Sequence, residues 1–201
     1  VCSSDLHRTP TNQPLISLSN EQAVIRAEIV RGDRNLNIDL EINANKANRA
    51  QINQNPTKSQ REILGACQVI YFSPEDLDLV RGEPTFRRDY LDKLLITKTP
   101  RMSGLLSDYE RVVKQRNTLL KTRAPQSALA PWSEQLINLA SAITAERVAL
   151  VNALNPLVAE NYRELNETKA ASIIYKSNIE GLTEDPEANK KLIEEKLRSE
   201  E

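Results

Sequence analysis

Apolar residues fall on alternate positions at Ala23, Ile25, Ala27 and Ile29, and again at Leu36, Ile38, Leu40 and Ile42. Between the two runs stand Arg31, Gly32, Asp33 and Arg34. Successive strand side chains point to opposite faces, so each run carries one apolar face and one polar face. Two such runs joined across a Gly-Asp pair predict a β-hairpin that must bury one side. No all-helical fold accommodates it. The polar stretch ANRAQINQNPTKS beyond the hairpin predicts a short strand and a turn, with Pro56 as punctuation. Arg61 to Gly65 reads as a short helix or turn, and CQVIYF as a buried strand ending before Ser73.

From Ser73 onward the apolar period changes from two to three-four. Ser73 is a good N-cap, Pro74 suits the first helical position, and Glu75 and Asp76 favour the positive end of a helix dipole. Gly82 is expected to end that helix and Pro84 to start the next, with Phe86, Tyr90, Leu91, Leu94 and Leu95 on one face. Thr99-Pro100 opens another, carrying Met102, Leu105, Leu106, Tyr109, Val112, Val113, Leu119 and Leu120, with Arg116 interrupting the stripe. Ala124 to Pro131 reads as a loop. A second long segment then uses Leu136, Leu139, Ile143, Leu150, Leu154, Leu157 and Leu165, and Pro156 should kink or divide it. Together these predict an antiparallel helical hairpin. AASIIYKSN reads as a returning strand, and EDPEANKKLIEEKLRSEE as a charged, exposed helix. VCSSDL shows no pattern linking it to the rest of the chain and is set apart as foreign to the native gene. Sheet, helical hairpin and sheet again is unusual for a closed domain, and suggests that both ends are incomplete.

Composition excludes several classes. Two cysteines, Cys2 and Cys67, fit neither a disulfide framework nor a zinc site, and a single histidine, His7, rules against a histidine-centred catalytic set. No apolar stretch approaches the ~18 residues of a membrane span, and the start has no signal-peptide pattern, so a soluble cytoplasmic protein is expected. The five glycines are isolated, so no phosphate loop or dinucleotide fingerprint is present. Glu75/Asp76 and Glu194/Glu195 are neighbours on helices and point apart, which argues against acid–base pairs. No catalytic residue and no metal ligand is assigned.

Charge is more informative. The chain has 27 Lys+Arg and 28 Asp+Glu, but the basic residues concentrate between Arg87 and Arg123 and the acidic ones beyond Glu180. Arg87 and Arg88 sit in the first turn of their helix, against the dipole. Lys114 and Arg116 fall on the next. Phosphate contact would explain these four cations. Salt bridges to Asp89, Asp92, Asp108 and Glu110, including an i,i+4 pair of Arg88 with Asp92, explain them equally well.

The stretch FSPEDLDLVRGEPTFRRDYLD (Phe72 to Asp92), with the later YERVVKQRNTLLK (Tyr109 to Lys121), resembles the RecF family of bacterial DNA replication and repair proteins. The hairpin, ANRAQIN, REILG, the segment from Trp132 to Leu165 and the strand at Ile173 to Tyr175 fit the same family in order and spacing. The resemblance runs from about His7 to Tyr175 and is nearest to the actinobacterial branch. It implies an α/β fold, part of an ABC-type ATPase head built from the β-hairpin and buried strands, with an inserted helical arm lobe. Residues 7–83 then belong to a nucleotide-binding lobe, 84–166 to the arm, and 167–201 to a returning strand and charged helix.

For the intact family the resemblance implies ATP and Mg2+ as cofactors and an ATP-dependent homodimer on double-stranded, gapped or single-stranded DNA. It further implies RecR and RecO as partners, and roles in gap repair, fork maintenance, the SOS response and recombinase loading. The phosphate-binding loop, signature and Walker B strand have no matching positions here, so no nucleotide is expected to bind this stretch alone. Ser73, Glu75 and Asp76 are nucleotide-proximal candidates; Arg87, Arg88, Lys114 and Arg116 are DNA-binding candidates. The alternative is a non-catalytic helical-hairpin module that binds protein or DNA.

Overall fold

A computed structural model describes residues 13–31, 33–58, 61–64, 66, 74–166 and 168–200. The chain divides into two compact units, Val1–Phe86 and Arg87–Glu201. The strand expected over CQVIYF and the cap expected at Ser73 lie outside the described residues.

The first unit holds a four-stranded antiparallel sheet in the order β1-β2-β3-β4, formed by Gln22–Arg31, Arg34–Asn43, Arg49–Ile52 and Asn55–Pro56. The β1–β2 register pairs Ala23 with Ile42, Ile25 with Leu40, Ala27 with Ile38 and Ile29 with Leu36. The alternating residues therefore share one face, as the pattern requires. β3 adds Ala50 opposite Leu40 and Ile52 opposite Ile38. Ile38, Ile42 and Ala50 are the buried members of that face. Asn53 and Gln54 link β3 to β4 with φ of 50° and 66°, the two left-handed positions of a type I′ turn. The Asn53 side chain also accepts the backbone N–H of Asn37 at 2.8 Å. Pro56 sits on the terminal strand, where its missing donor costs least.

Two four-residue helices come next, α1 (Arg61–Leu64) and α2 (Asp78–Arg81), the latter preceded by a 3-10 turn over Pro74–Leu77. Gly82 closes α2, but not through a left-handed conformation, since its φ is −82°. Close approach explains the glycine instead. A Cβ there would stand 2.6 Å from the Asp78 carbonyl oxygen and 2.8 Å from the Phe86 ring.

The second unit is built on α3 (Pro84–Lys98), α4 (Met102–Lys121), α5 (Gln126–Leu165) and α6 (Pro186–Glu200). Its core unites Leu95, Met102, Leu106, Ile143 and Leu150, with Leu91, Leu94, Tyr109 and Leu154 packed around them. Only the C-terminal half of the α3 face is used in this way: Phe86 and Tyr90 are exposed. α4 ends in a Schellman turn, with Ala124 N–H on the Leu119 carbonyl and Arg123 in the left-handed region at φ 52°.

Three expectations are corrected here. The loop at 124–131 shrinks, because α5 already begins at Gln126 and runs through both Pro131 and Pro156 without dividing. Packing overrides the local penalty: eight buried residues from Leu129 to Val151 fix α5 along most of its length. The returning strand at Ile173 to Tyr175 is not a paired strand among the described residues. It keeps the burial rhythm of one, with Ala171, Ile173, Tyr175, Ser177 and Ile179 partly covered and their neighbours exposed. Finally, α6 is docked rather than exposed. Asp185 caps it by accepting the Glu187 N–H, and Asn189 and Ile193 are buried where it meets α5.

Candidate functional site

A strongly bonded polar group of the second unit brings three segments together. From α5, Arg147 donates Nε to Asp92 Oδ1 at 2.8 Å and Nη2 to Asp92 Oδ2 at 2.7 Å, a two-pronged bond onto α3. The side chains are 14% and 21% exposed, so water screens the pair poorly. Burial pulls the Arg147 pKa down, but Asp92 and the Tyr175 hydroxyl outweigh it and hold the guanidinium above its ordinary value. Tyr175, on the segment after α5, lies near the same guanidinium. Asp92 therefore has Arg147 of α5 as a partner. The signal for this node was present as a charged Glu-Arg doublet inside the apolar run of α5, but spacing alone gave it no partner 55 residues away.

Beside the node, Val148, Asn152 and Asn155 of α5 face residues 173–184 across an open cleft of about 700 Å³. The Ile173 N–H donates to Asn155 Oδ1 at 2.9 Å, and Asn152 Nδ2 donates to Glu184 Oε1 at 2.7 Å. This cleft holds the post-α5 segment by hydrogen bonds to its backbone and side chains.

The sequence-derived cations separate into two kinds. Arg87 and Arg88 on α3 and Lys114 on α4 are exposed. Arg116 is different: it is 9% exposed, and its Nε donates to Ser133 Oγ of α5 at 2.9 Å. Placed in the α4 stripe between Val112 and Leu119, its guanidinium is enclosed between the two long helices, which does not suit a surface contact. Of the acidic candidates, Asp76 lies half-buried in the Pro74–Leu77 turn with Glu75 beside it in the backbone, while Ser73 falls outside the described residues.

Among the described residues no group of His, Cys, Asp or Glu could hold a metal ion, and no helix is long and apolar enough to cross a membrane.

No family model matches the chain. The chain is 41% identical over 187 residues to the DNA replication and repair protein RecF of Paenarthrobacter aurescens, covering 89% of the chain and 47% of that protein. It is 42% identical over 199 residues to the RecF of Renibacterium salmoninarum, covering 92% of the chain and 50% of the relative. Over the stretch it spans, this chain belongs to the RecF family. It spans about half the length of the RecF proteins it matches. The fold agrees. A solved structure of the recombination mediator protein RecF-ATPrS in the RecFOR pathway superposes with a TM-score of 0.89 at 22% identity, over 96% of this chain and 53% of that one. A RecF-ATP structure of the same pathway superposes at 0.83 with 23% identity. The α/β architecture, an antiparallel sheet joined to a helical arm, is therefore that of RecF.

Proposed function

We propose that this chain is part of a RecF-type recombination mediator that binds DNA in an ATP-dependent manner for gap repair, replication-fork maintenance and recombinase loading. The observation that carries it is the 41–42% identity to RecF proteins over about nine-tenths of the chain. In this reading the intact protein works in the cytoplasm as an ATP-dependent homodimer with RecR and RecO, using ATP and Mg2+. No step of ATP hydrolysis is routed through the described residues. The turn at Pro74–Leu77 lies close to nucleotide in the intact protein, with Asp76 as its testable side chain and Ser73 and Glu75 as neighbours. Arg87, Arg88 and Lys114 contact DNA phosphates from ordered helices, which positions the protein without reading bases. Arg116 holds α4 to α5 instead.

The test is duplex binding by the full-length protein, with and without ATP, across a salt series. Each phosphate contact contributes roughly 0.9 to the slope of log K against log salt. Charge reversal at Arg87 and Arg88 therefore flattens that slope by about 2 or more. Asp76→Ala is expected to change ATPase activity. Duplex binding that is absent, or indifferent to ATP, refutes the proposal, whereas an unchanged slope returns Arg87 and Arg88 to a purely structural role.

A further inference from the structure

The far end of the helical hairpin has a composition unlike the rest of the chain. Of 27 Lys+Arg and 28 Asp+Glu in all, five of the former and none of the latter fall between Arg111 and Ser133. Arg111 is committed to Asp108 at 3.0 Å, and Arg116 is enclosed against Ser133. That leaves Lys114, Lys121 and Arg123, all exposed, with no carboxylate bonded to them among the described residues. Lys114 and Lys121 are seven residues apart, which puts them on one face of α4, separated by about 10 Å along its axis. Arg123 lies two residues further on, just past the helix end.

Two ordinary explanations fall short. A helix C-terminus favours cations in its last turn, which accounts for Lys121 but not for Lys114 two turns earlier. Nor does it account for Arg123. That residue occupies the left-handed closing position of the Schellman turn at φ 52°, where glycine or asparagine is the less strained choice. A cation kept in an unfavourable backbone conformation, with no carboxylate bonded to it among the described residues, points to an anionic partner.

The surrounding side chains choose among anionic partners. Gln115 and Asn117 are exposed beside the cations, and side-chain amides are usual companions of Lys and Arg at phosphates. A protein-binding patch would centre on aromatic or large apolar anchors, and Leu120 is the one large apolar side chain exposed there. Single-stranded binding relies on aromatic platforms, and Trp132, the only aromatic residue of this stretch, is half-buried. We propose that the tip of the α4–α5 hairpin, through Lys114, Lys121 and Arg123, is a contact for the phosphate backbone of duplex DNA. The proposal rests on the RecF-type function proposed for the chain and adds a second contact area to the α3 arginines.

The experiment uses the full-length protein carrying this segment and a fluorescent 30-base-pair duplex, followed by anisotropy over a salt series. Lys121→Gln with Arg123→Gln is expected to lower the slope of log K against log salt by about 2, at roughly 0.9 per lost contact. Arg123→Gly is the folding control, since glycine relieves the left-handed turn while removing the charge; it is expected to lower the slope by about 1 with no loss of thermal stability. A slope unchanged in the tip variants but reduced in the Arg87→Gln, Arg88→Gln variant overturns the tip contact and leaves the proposed function standing. A wild-type protein that fails to bind duplex at any salt overturns both. Weakening confined to a single-stranded probe, or to a protein partner, also overturns the assignment to duplex phosphate.

Discussion

Removing the Arg147 guanidinium isolates the node that joins α3, α5 and the segment after α5. In Arg147→Met the apolar stem remains while both hydrogen bonds to Asp92, at 2.8 and 2.7 Å, are lost. A hydrogen bond to a charged group is worth about 1.5–3 kcal/mol, and breaking a fully buried pair costs about 3–5 kcal/mol. Here the side chains retain 14% and 21% exposure, so some water reaches the orphaned carboxylate and the lower part of the range applies. We expect a loss of about 2–3 kcal/mol. Asp92→Leu combined with Arg147→Met removes both charges together, and is expected to recover at least about 1.5 kcal/mol relative to the sum of the single changes. Urea unfolding of wild type, both single variants and the double variant closes the cycle. The pH dependence has a definite sign. The folded pKa of Arg147 is raised above its ordinary value, so its contribution is complete below that value and lost only as pH rises through the folded pKa. The cost of Arg147→Met should therefore be the same at pH 6 and pH 8. A single variant within about 0.5 kcal/mol of wild type, or a double variant as unstable as the sum, refutes the reasoning.

Three further outcomes rest on individual contacts. Gly82→Ala forces a Cβ to within 2.6 Å of the Asp78 carbonyl oxygen, and should cost about 1–3 kcal/mol by chemical denaturation. Asn189 is fully buried and exchanges two 2.8 Å bonds with the backbone of Thr183. Asn189→Ala should cost about 2–3 kcal/mol and raise hydrogen exchange along α6, because it strands both backbone groups. Arg116→Leu puts an apolar residue into the α4 stripe and should leave the salt slope of DNA binding unchanged, whereas Lys114→Gln lowers it by about 0.9.

Legibility in the sequence tracked how local the determining physics was. The β1–β2 hairpin was readable to the residue because a two-residue loop and period-two alternation fix the register together. The long helices were readable because their apolar stripes repeat over many turns. What failed was non-local. Pro156 and Pro131 looked like breaks because a propensity penalty is visible in sequence, whereas the packing that overrides it is not. The tail looked exposed because it is densely charged, whereas the pairing of the buried Asn189 with Thr183 depends on a turn that only the fold creates. At the candidate site, Arg116 was visible as a cation in an apolar stripe, but its enclosure against Ser133 was not. The Asp92–Arg147 bond crosses 55 residues, beyond any helical spacing rule. The family resemblance stood on another footing, because the ordered motif from Phe72 to Asp92 identifies a lineage without requiring that any contact be known.

Pro156 tests how packing overrides a helix breaker. A proline in a helix interior removes one hydrogen bond and crowds the carbonyl four residues earlier, at a cost of about 3 kcal/mol. The affected carbonyl belongs to Asn152, which is exposed and borders the open cleft, where solvent can satisfy it. One turn upstream, Leu150 and Val151 are buried, and Leu154 packs on the core, so the helix axis is held on the inner side. Asn152 and Asn155 are also tied to Glu184 and Ile173. The proline therefore sits on the outer, wetted side of a helix clamped from within, and part of its penalty is already relieved. Pro156→Ala should stabilise the protein by about 1–2 kcal/mol, less than the full penalty, and reduce hydrogen exchange from Asn152 to Glu160. If Pro156→Ala instead destabilises the protein, the ring is itself a packing element or the bond geometry at Asn152 depends on it. In that case α5 is kept continuous by something other than its inner face.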